Sequence, residues 1–130
     1  MESKQITFYH STFWLQDGIL FSKLKRDLID LKIAMDIVQD RKRVFGKINM
    51  PFFIELGSEL PYVNADVRRY FASRDAWDYI TAGALVTTNK LNEFLGNAWL
   101  ILDKPVVPIK IFTNRKSALE WLELYKPLTR

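Results

Sequence analysis

The sequence has no cysteine and a single histidine among its 130 residues. Without cysteine the chain cannot form a disulfide framework, a thiolate nucleophile or a zinc finger, and this composition suits a reducing compartment. His10 alone supplies neither a histidine-based metal cluster nor a Ser-His-Asp arrangement. We expect His10 to be a surface residue of a strand.

Long apolar runs and nucleotide-binding motifs are also missing. The chain has no run of about 18 uninterrupted apolar residues, and its start, MESKQITFYH, does not have the pattern of a secretory signal. Neither G-x-G-x-x-G nor G-x-x-x-x-G-K-[ST] occurs. We therefore expect a cytoplasmic protein that has no cofactor, no metal site, no catalytic residues and no membrane insertion.

The apolar content is high enough for a well-packed core. Hydrophobic residues make up 48% of the chain and aromatic residues 14%. A chain of this length fits one domain, and we assign residues 1–130 to a single domain whose first five residues are frayed. We therefore expect an ordered, folded chain.

The chain is mildly basic, with a net charge of +4 and both signs interspersed. Such a balance favours solubility over polyanion binding. Basic residues cluster at two places, Arg41, Lys42, Arg43 and Lys47, then Arg68, Arg69 and Arg74. A shared face would suit an acidic partner or a phosphate backbone, but a solvated helix end explains the first cluster. We do not expect nucleic acid to be a partner.

The most regular pattern lies between Ile80 and Phe112. Apolar residues recur there at the spacing of one helix face: Leu91, Phe94, Leu95, Ala98, Trp99 and Leu102. Two short apolar runs, Ile80 to Val86 and Val106 to Phe112, flank the helix and have little polar alternation, as in parallel strands covered on both faces. The segment is therefore a predicted βαβ unit.

The first part of the chain predicts a hairpin and a helix. Two aromatic-rich extended runs between Ile6 and Lys25 are broken by Asp17-Gly18, a dipeptide typical of a two-residue turn. Asp30 is a plausible N-cap for the next helix, whose apolar stripe is Leu31, Ala34, Met35 and Val38. Gly46 is its natural end.

Three further elements complete the predicted order. A strand runs from about Ile48 to Leu56, a helix from about Ala65 to Ser73, and a last helix is capped by Thr113 or Asn114. The order is β-β-α-β-α-β-α-β-α. We predict an α/β fold with one mixed five-stranded sheet, in which an N-terminal antiparallel hairpin is followed by parallel βαβ units, and about four helices.

The stretch GALVTTNKLNEFLGNAWLILDKPVVPIKIFTNRKSALEWL, from Gly83 to Leu122, resembles the STAS-like or anti-sigma-factor-antagonist-like fold. It is similar to an uncharacterised bacterial branch in which a small-residue strand, an FLGN-like helix, a KP-containing loop and a KIFT-then-ALEWL ending follow one another. The similarity extends to FWLQDGIL, from Phe13 to Leu20. The resemblance implies a STAS-like domain and a regulatory role through protein binding, with no attached activity.

Better-understood members of this fold carry a phosphorylated Ser or Thr at the start of the helix after the third strand. The matching positions here are Asn64, Ala65 and Asp66, and none of these side chains accepts a phosphate as an ester. Ser58 is the only Ser or Thr of that loop, and it lies too early to match. The sequence therefore departs from the family at the phosphorylation switch.

Polar residues follow the strands at the edge where ligands of parallel α/β sheets tend to bind. We predict that three loops converge there and hold an anion or a partner's backbone. Their candidate residues are Ser58, Tyr62, Asn64, Asp66, Thr87, Thr88, Asn89, Thr113 and Asn114. The alternative is simple helix capping, for which most of these residue types are common.

The first hairpin is unusually aromatic, with Phe8, Tyr9, Phe13, Trp14 and Phe21. Successive crossovers in one direction place their helices on one face of the sheet, so some of these rings must pack elsewhere. They either form a second small core or cover a self-association surface, which makes a homodimer possible.

Two hypotheses about function follow. The leading one is a non-enzymatic STAS-like regulatory module that binds another protein through its loops and hairpin face. The alternative is a carrier or sensor that binds a small apolar or anionic ligand in the strand-end crevice. An enzyme comes third, because the chain offers no recognisable nucleophile paired with a base.

Overall fold

The computed structural model of the protein describes residues 5–25, 28–58 and 62–127, without the side chain of Tyr62. The predicted frayed segment falls outside these residues except for residue 5. The strands are β1 (Ile6–Thr7), β2 (Ser11–Gln16), β3 (Ile19–Leu24), β4 (Leu28–Ile29), β5 (Met50–Glu55), β6 (Tyr62–Val63), β7 (Ile80–Val86) and β8 (Ile109–Phe112). The helices are α1 (Leu31–Phe45), α2 (Ala65–Phe71), α3 (Arg74–Trp77), α4 (Lys90–Asp103) and α5 (Arg115–Glu123).

The main sheet has the strand order β1-β2-β3-β5-β7-β8. Its first three strands are antiparallel, whereas β3, β5, β7 and β8 run parallel. The predicted mixed α/β architecture is confirmed, but the count of five strands was wrong. The first extended run turns back on itself, where the Phe8 amide donates to the Ser11 carbonyl at 2.8 Å, so Ile6–Thr7 becomes a separate sixth strand.

Local capping signals are confirmed at several element ends. Asp17 and Gly18 both have positive φ, as the two-residue hairpin turn requires. Asp30 Oδ1 accepts a hydrogen bond from the Ile33 amide at 2.8 Å, and Gly46 caps the other end of α1. Asn114 caps α5. The sequence therefore specifies these boundaries through short-range hydrogen bonds.

Two hydrophobic cores lie on opposite faces of the main sheet, because successive strand side chains alternate. We call them the α1 face and the α5 face. On β3, Leu20 packs into the core beneath α1, while Ile19 and Phe21 pack into the core beneath α5. The α5 face is closed by Ala118 and Leu122, both 0% exposed.

The hairpin aromatics divide between these cores. Phe8 and Phe13 pack on the α1 face, Trp14 and Phe21 pack on the α5 face, and Tyr9 is exposed. A second small core therefore accommodates rings that the α1 face does not hold. A homodimer stays a prediction.

The expectation for His10 was wrong. His10 is buried, and it lies in the bend between β1 and β2 instead of within a strand. Its Nε2 atom is 3.6 Å from Asp36 Oδ2 on α1. The bend turns this side chain toward α1, which shields it from solvent.

Helix α4 is confirmed, but its apolar stripe is largely exposed. Leu91, Phe94 and Leu102 are 62%, 71% and 70% exposed. Within α4, whose residues are all described, Gly96 alone is buried. Among the described residues, no helix combines the length and apolarity needed to cross a bilayer.

Polar side chains attach α4 to the edge of the sheet. Asn97 Nδ2 donates to the Ile111 carbonyl at 3.0 Å, and Asn97 Oδ1 accepts from the Ile111 amide at 2.9 Å. Glu93 accepts from the Thr113 amide at 3.1 Å. These bonds satisfy backbone groups of the edge strand β8. Helix α4 thus covers a sheet edge instead of lying flat on a face.

Candidate ligand-binding cavity

A cavity of about 650 Å³ lies over the α1 face of the sheet. Its floor includes one cross-strand row formed by adjacent partners on β2, β3, β5, β7 and β8. The row is Phe13, Ser22, Ile54, Leu85 and Ile111. Four of these five side chains are apolar. The row lies near the carboxyl ends of the parallel strands.

Four helices form the walls. The cavity is lined by Ile37 from α1, Phe71 from α2, Ala76 from α3, and Gly96 and Leu100 from α4. Because α4 is anchored to the edge strand β8, it leaves space between itself and α1. The cavity is that space, with mostly apolar walls.

An ion pair bridges α2 and α4 at the rim of the cavity. The Arg68 guanidinium donates to both carboxylate oxygens of Asp103, at 2.7 and 3.2 Å. Arg68 Cζ also lies 4.0 Å from the centre of the half-exposed Trp99 ring. Hydrogen bonding of the Arg68 guanidinium to the Asp103 carboxylate raises the pKa of Arg68. This rim charge is therefore already paired.

A second arginine lies deep in the cavity wall. Arg41 is 2% exposed and donates to the backbone carbonyls of Asp78, at 2.9 Å, and Ala76, at 3.1 Å. Burial lowers the pKa of Arg41 to about 10. The nearby carboxylates of Asp75 and Asp78 instead form ion pairs with Lys42. Arg41 is thus a buried cation whose hydrogen bonds go to neutral carbonyl groups, while Asp78 and Asp75 attract it without direct contact.

Ser22 is a polar group in the floor. It is 1% exposed, and within the described chain its Oγ atom has no hydrogen-bond partner. Its neighbours in the row are Phe13 and Ile54, which offer no side-chain polar atoms. A buried hydroxyl without a partner is uncommon, because its desolvation is then uncompensated.

A comparison with protein families identifies the family of this chain. A family profile matches residues 13–126. The chain belongs to the family described as Domain of unknown function (DUF7793). No curated protein matches.

A solved structure shows the same fold. It is the crystal structure of an uncharacterised protein from the DUF3478 family, with a SpoIIAA-like fold, from Shewanella loihica PV-4. The two chains are 13% identical, with a TM-score of 0.60, and the match covers 90% of this chain and 98% of that chain. The STAS-like resemblance of this DUF7793 member is therefore confirmed for the fold.

The predicted loop residues lie at the carboxyl edge of the sheet, and some of these loops do meet. Thr87 is buried, and its hydroxyl donates to the Gly57 carbonyl at 2.9 Å. Asn92, at the start of α4, donates to the Ser58 carbonyl at 2.9 Å. Thr113 reaches the same helix through Glu93. The loops after β5, β7 and β8 are thus connected.

Helix capping occupies three of the predicted residues. Asn64, Asn89 and Asn114 each accept backbone hydrogen bonds at the start of α2, α4 and α5. Asp66 pairs with Arg69, and Thr88 is exposed. The side chain of Tyr62 falls outside the described part of the chain. None of the described predicted residues lines the cavity, and ligand or partner binding by them stays a prediction.

Several members of the two basic clusters are buried or paired within the fold. Arg41 is buried, Lys42 pairs with Asp75, Arg43 pairs with Asp40 and Arg68 pairs with Asp103. The described residues contain no group of three or more His, Cys, Asp or Glu side chains placed to hold a metal ion.

Sequence reasoning did not assign Arg41 or Ser22 to a binding site, although the position of each in an apolar pattern is a sequence signal. The buried stripe of α1 is Ala34, Ile37, Val38 and Arg41, so the predicted stripe with Leu31 and Met35 was rotated. Arg41 follows Ala34 by seven residues and so shares its face. Ser22 likewise alternates with Leu20 and Leu24 on β3. Both are polar residues at positions of an apolar pattern.

Proposed function

We propose that the chain is a non-enzymatic carrier or sensor that binds a small, mainly apolar molecule in the cavity over the α1 face. The cavity itself is the observation that carries this proposal. Its volume of about 650 Å³ falls within the range of about 300–1,000 Å³ typical of small-molecule sites. The cross-strand row in its floor lies near the carboxyl ends of the parallel strands, the end at which such folds bind ligands.

The lining favours an apolar body for the ligand. Floor residues such as Ile54, Leu85 and Ile111 and wall residues such as Ile37 and Leu100 expose carbon atoms to the cavity. Burying a methylene group there contributes about 0.8 kcal/mol. A ligand would also restore packing contacts that the empty volume denies to its lining.

The charged groups of the lining support binding instead of catalysis. They are Arg41, Arg68 and Asp103. Arg68 and Asp103 are engaged with each other, and the carbonyls of Ala76 and Asp78 hold Arg41. Among the described lining residues, no nucleophile is hydrogen-bonded to a base, which is the arrangement that covalent catalysis needs.

The test uses 1-decanol, a neutral apolar probe, and a variant that fills the cavity. We expect saturable one-to-one binding of 1-decanol to the wild type by calorimetry. At about 100 times Kd the ligand should stabilise the fold by about 2.7 kcal/mol. The Leu85→Phe variant places a ring in the cavity and should abolish binding.

The matched control is Leu124→Phe, the same substitution at a residue that is 77% exposed and away from the lining. This variant should bind 1-decanol as the wild type does. Amide shifts in NMR spectra should concentrate at Ser22, Ile54 and Leu85. Absence of saturable binding to the wild type, or equal binding by Leu85→Phe, would overturn the proposal.

A second candidate is the protein-interaction module, which the outer surface of α4 favours. Phe94, Ile101 and Leu102 are each at least 70% exposed. Exposed apolar patches of this kind often mark binding surfaces. A pull-down from the native host should recover a specific partner with the wild type and lose it with Phe94→Ser and Leu102→Ser combined. Recovery of the same proteins by both chains would contradict this role.

A further inference from the structure

We infer that the ligand of this cavity is an apolar monocarboxylate, whose carboxylate is received by Arg41 and Ser22. This inference rests on the proposed function and adds the class of ligand. It depends on two polar groups that the apolar lining does not satisfy. Both belong to the cavity, one in its wall and one in its floor.

The first group is the guanidinium of Arg41. It has five N–H donors, and backbone carbonyls accept from two of its nitrogen atoms. Carbonyl groups neutralise no charge. The carboxylates of Asp75 and Asp78 attract Arg41 through space, but their direct ion pairs are with Lys42. A buried cation with no carboxylate in direct contact is costly. An anionic group on the ligand would give Arg41 a direct partner.

The second group is the Ser22 hydroxyl, which is buried in the floor and has no hydrogen-bond partner among the described residues. Ser22 is the strand partner of Ile54 on β5. Two residues earlier on β5, the ring of Phe52 lies 6.0 Å from Arg41 Cζ. The hydroxyl and the guanidinium therefore flank the same short stretch of β5, and a hydroxyl can donate to a carboxylate oxygen.

The charge of the lining selects an anion over a cation. Two arginines face one aspartate, so the lining is net positive. Arg68 is held by both oxygens of Asp103, whereas the hydrogen bonds of Arg41 go to carbonyl groups. One cation without a direct carboxylate partner in mostly apolar surroundings suits a single negative charge. A highly charged ligand such as a nucleotide would bring anions that the lining does not match.

The experiment compares three probes of equal chain length, decanoate, 1-decanol and decylamine, below their micelle concentrations. We expect the wild type to bind decanoate at least tenfold more tightly than 1-decanol, and decylamine most weakly. The Arg41→Met variant keeps the apolar stem and should bind decanoate no more tightly than 1-decanol.

A pair of serine variants tests the head-group site without disturbing Arg41. Ser22→Ala should weaken the binding of decanoate about five- to tenfold, the usual effect of one lost hydrogen bond. Ser11→Ala is the matched control, because Ser11 is also buried, its Oγ has no hydrogen-bond partner within the described part of the chain, and it does not line the cavity. This control should bind decanoate like the wild type. The serine pair decides the matter even if Arg41→Met does not fold.

The outcomes separate this inference from the proposed function. Failure of every probe to bind the wild type would overturn both. Equal binding of decanoate and 1-decanol would leave the apolar cavity as a binding site and overturn the carboxylate assignment. An unchanged affinity of Ser22→Ala for decanoate would also overturn the assignment of the head group.

Discussion

On the α5 face, the nine-residue helix α5 covers the sheet. Its Ala118 and Leu122 side chains are fully buried between the helix and the sheet. On the α1 face, helices α1, α2, α3 and α4 pack over the sheet and still leave a cavity of about 650 Å³. The number of helices therefore does not determine how well a face is filled. What matters is the place at which each helix is anchored.

Small residues explain the close contact on the α5 face. Ala82 and Ala84 of β7 are 0% exposed and let α5 approach the sheet closely. On the opposite face of β7, Leu85 projects into the cavity, and α4 is held at the edge by Asn97. One strand thus presents a filled face and an open face, and the open face is the one to which we assign the proposed ligand.

The largest predicted effect compares a leucine on each face. Leu122→Ala removes a fully buried side chain from the filled core and should lower the free energy of unfolding by about 3 kcal/mol. Leu85→Ala enlarges a cavity that already exists and should cost about 1 kcal/mol, because fewer packing contacts are lost. Urea denaturation of both variants measures the difference. Equal losses would show that the two faces are packed alike.

Much of the fold was predictable from local signals. Asp17-Gly18, Asp30 and Asn114 act through turn geometry or through hydrogen bonds to residues within three positions. Such signals do not depend on the rest of the chain. The order of the main elements follows from them and from hydrophobic periodicity. The two-residue strands and the single turn of α3 are too short for a periodic pattern.

The orientation of the helices was less predictable. Periodicity identifies an apolar face, but α4 turns polar residues, Asn97 and Glu93, toward the sheet edge and leaves Leu91 and Phe94 exposed. The reason is the unpaired backbone of β8, whose hydrogen-bonding requirement is not visible in the helix sequence. The cavity follows from that docking, so it could not be predicted from composition either.

The second-largest predicted effect tests whether Asn97 holds α4 at the sheet edge and so leaves the α1 face open. Asn97→Ala removes two hydrogen bonds to the Ile111 backbone and should cost about 1–2 kcal/mol. Hydrogen exchange should rise along α4 and β8 while α5 keeps its protection. Asn92→Ala, which removes one bond to the Ser58 carbonyl, is the control and should cost about half as much. Faster exchange in α5 as well would mean that the faces are not independent.

The smallest predicted effect is a pH dependence of stability on the α1 face, where Asp75 of α3 bonds to Lys42 and Tyr70. Hydrogen bonds from Lys42, at 2.7 Å, and from Tyr70, at 2.6 Å, lower the pKa of Asp75 below its ordinary value of 3.8. A carboxylate with a depressed pKa in the folded state stabilises the fold above its ordinary pKa, and that stability is lost as pH falls below it. The side chain is about half exposed, so we expect less than about 1 kcal/mol. Urea denaturation of Asp75→Asn should show a loss of stability at pH 7 that shrinks as the pH falls from the ordinary pKa of Asp75 through its lowered pKa. Glu123→Gln on α5 controls for net charge, and an equal pH dependence in both variants would contradict a specific role for Asp75.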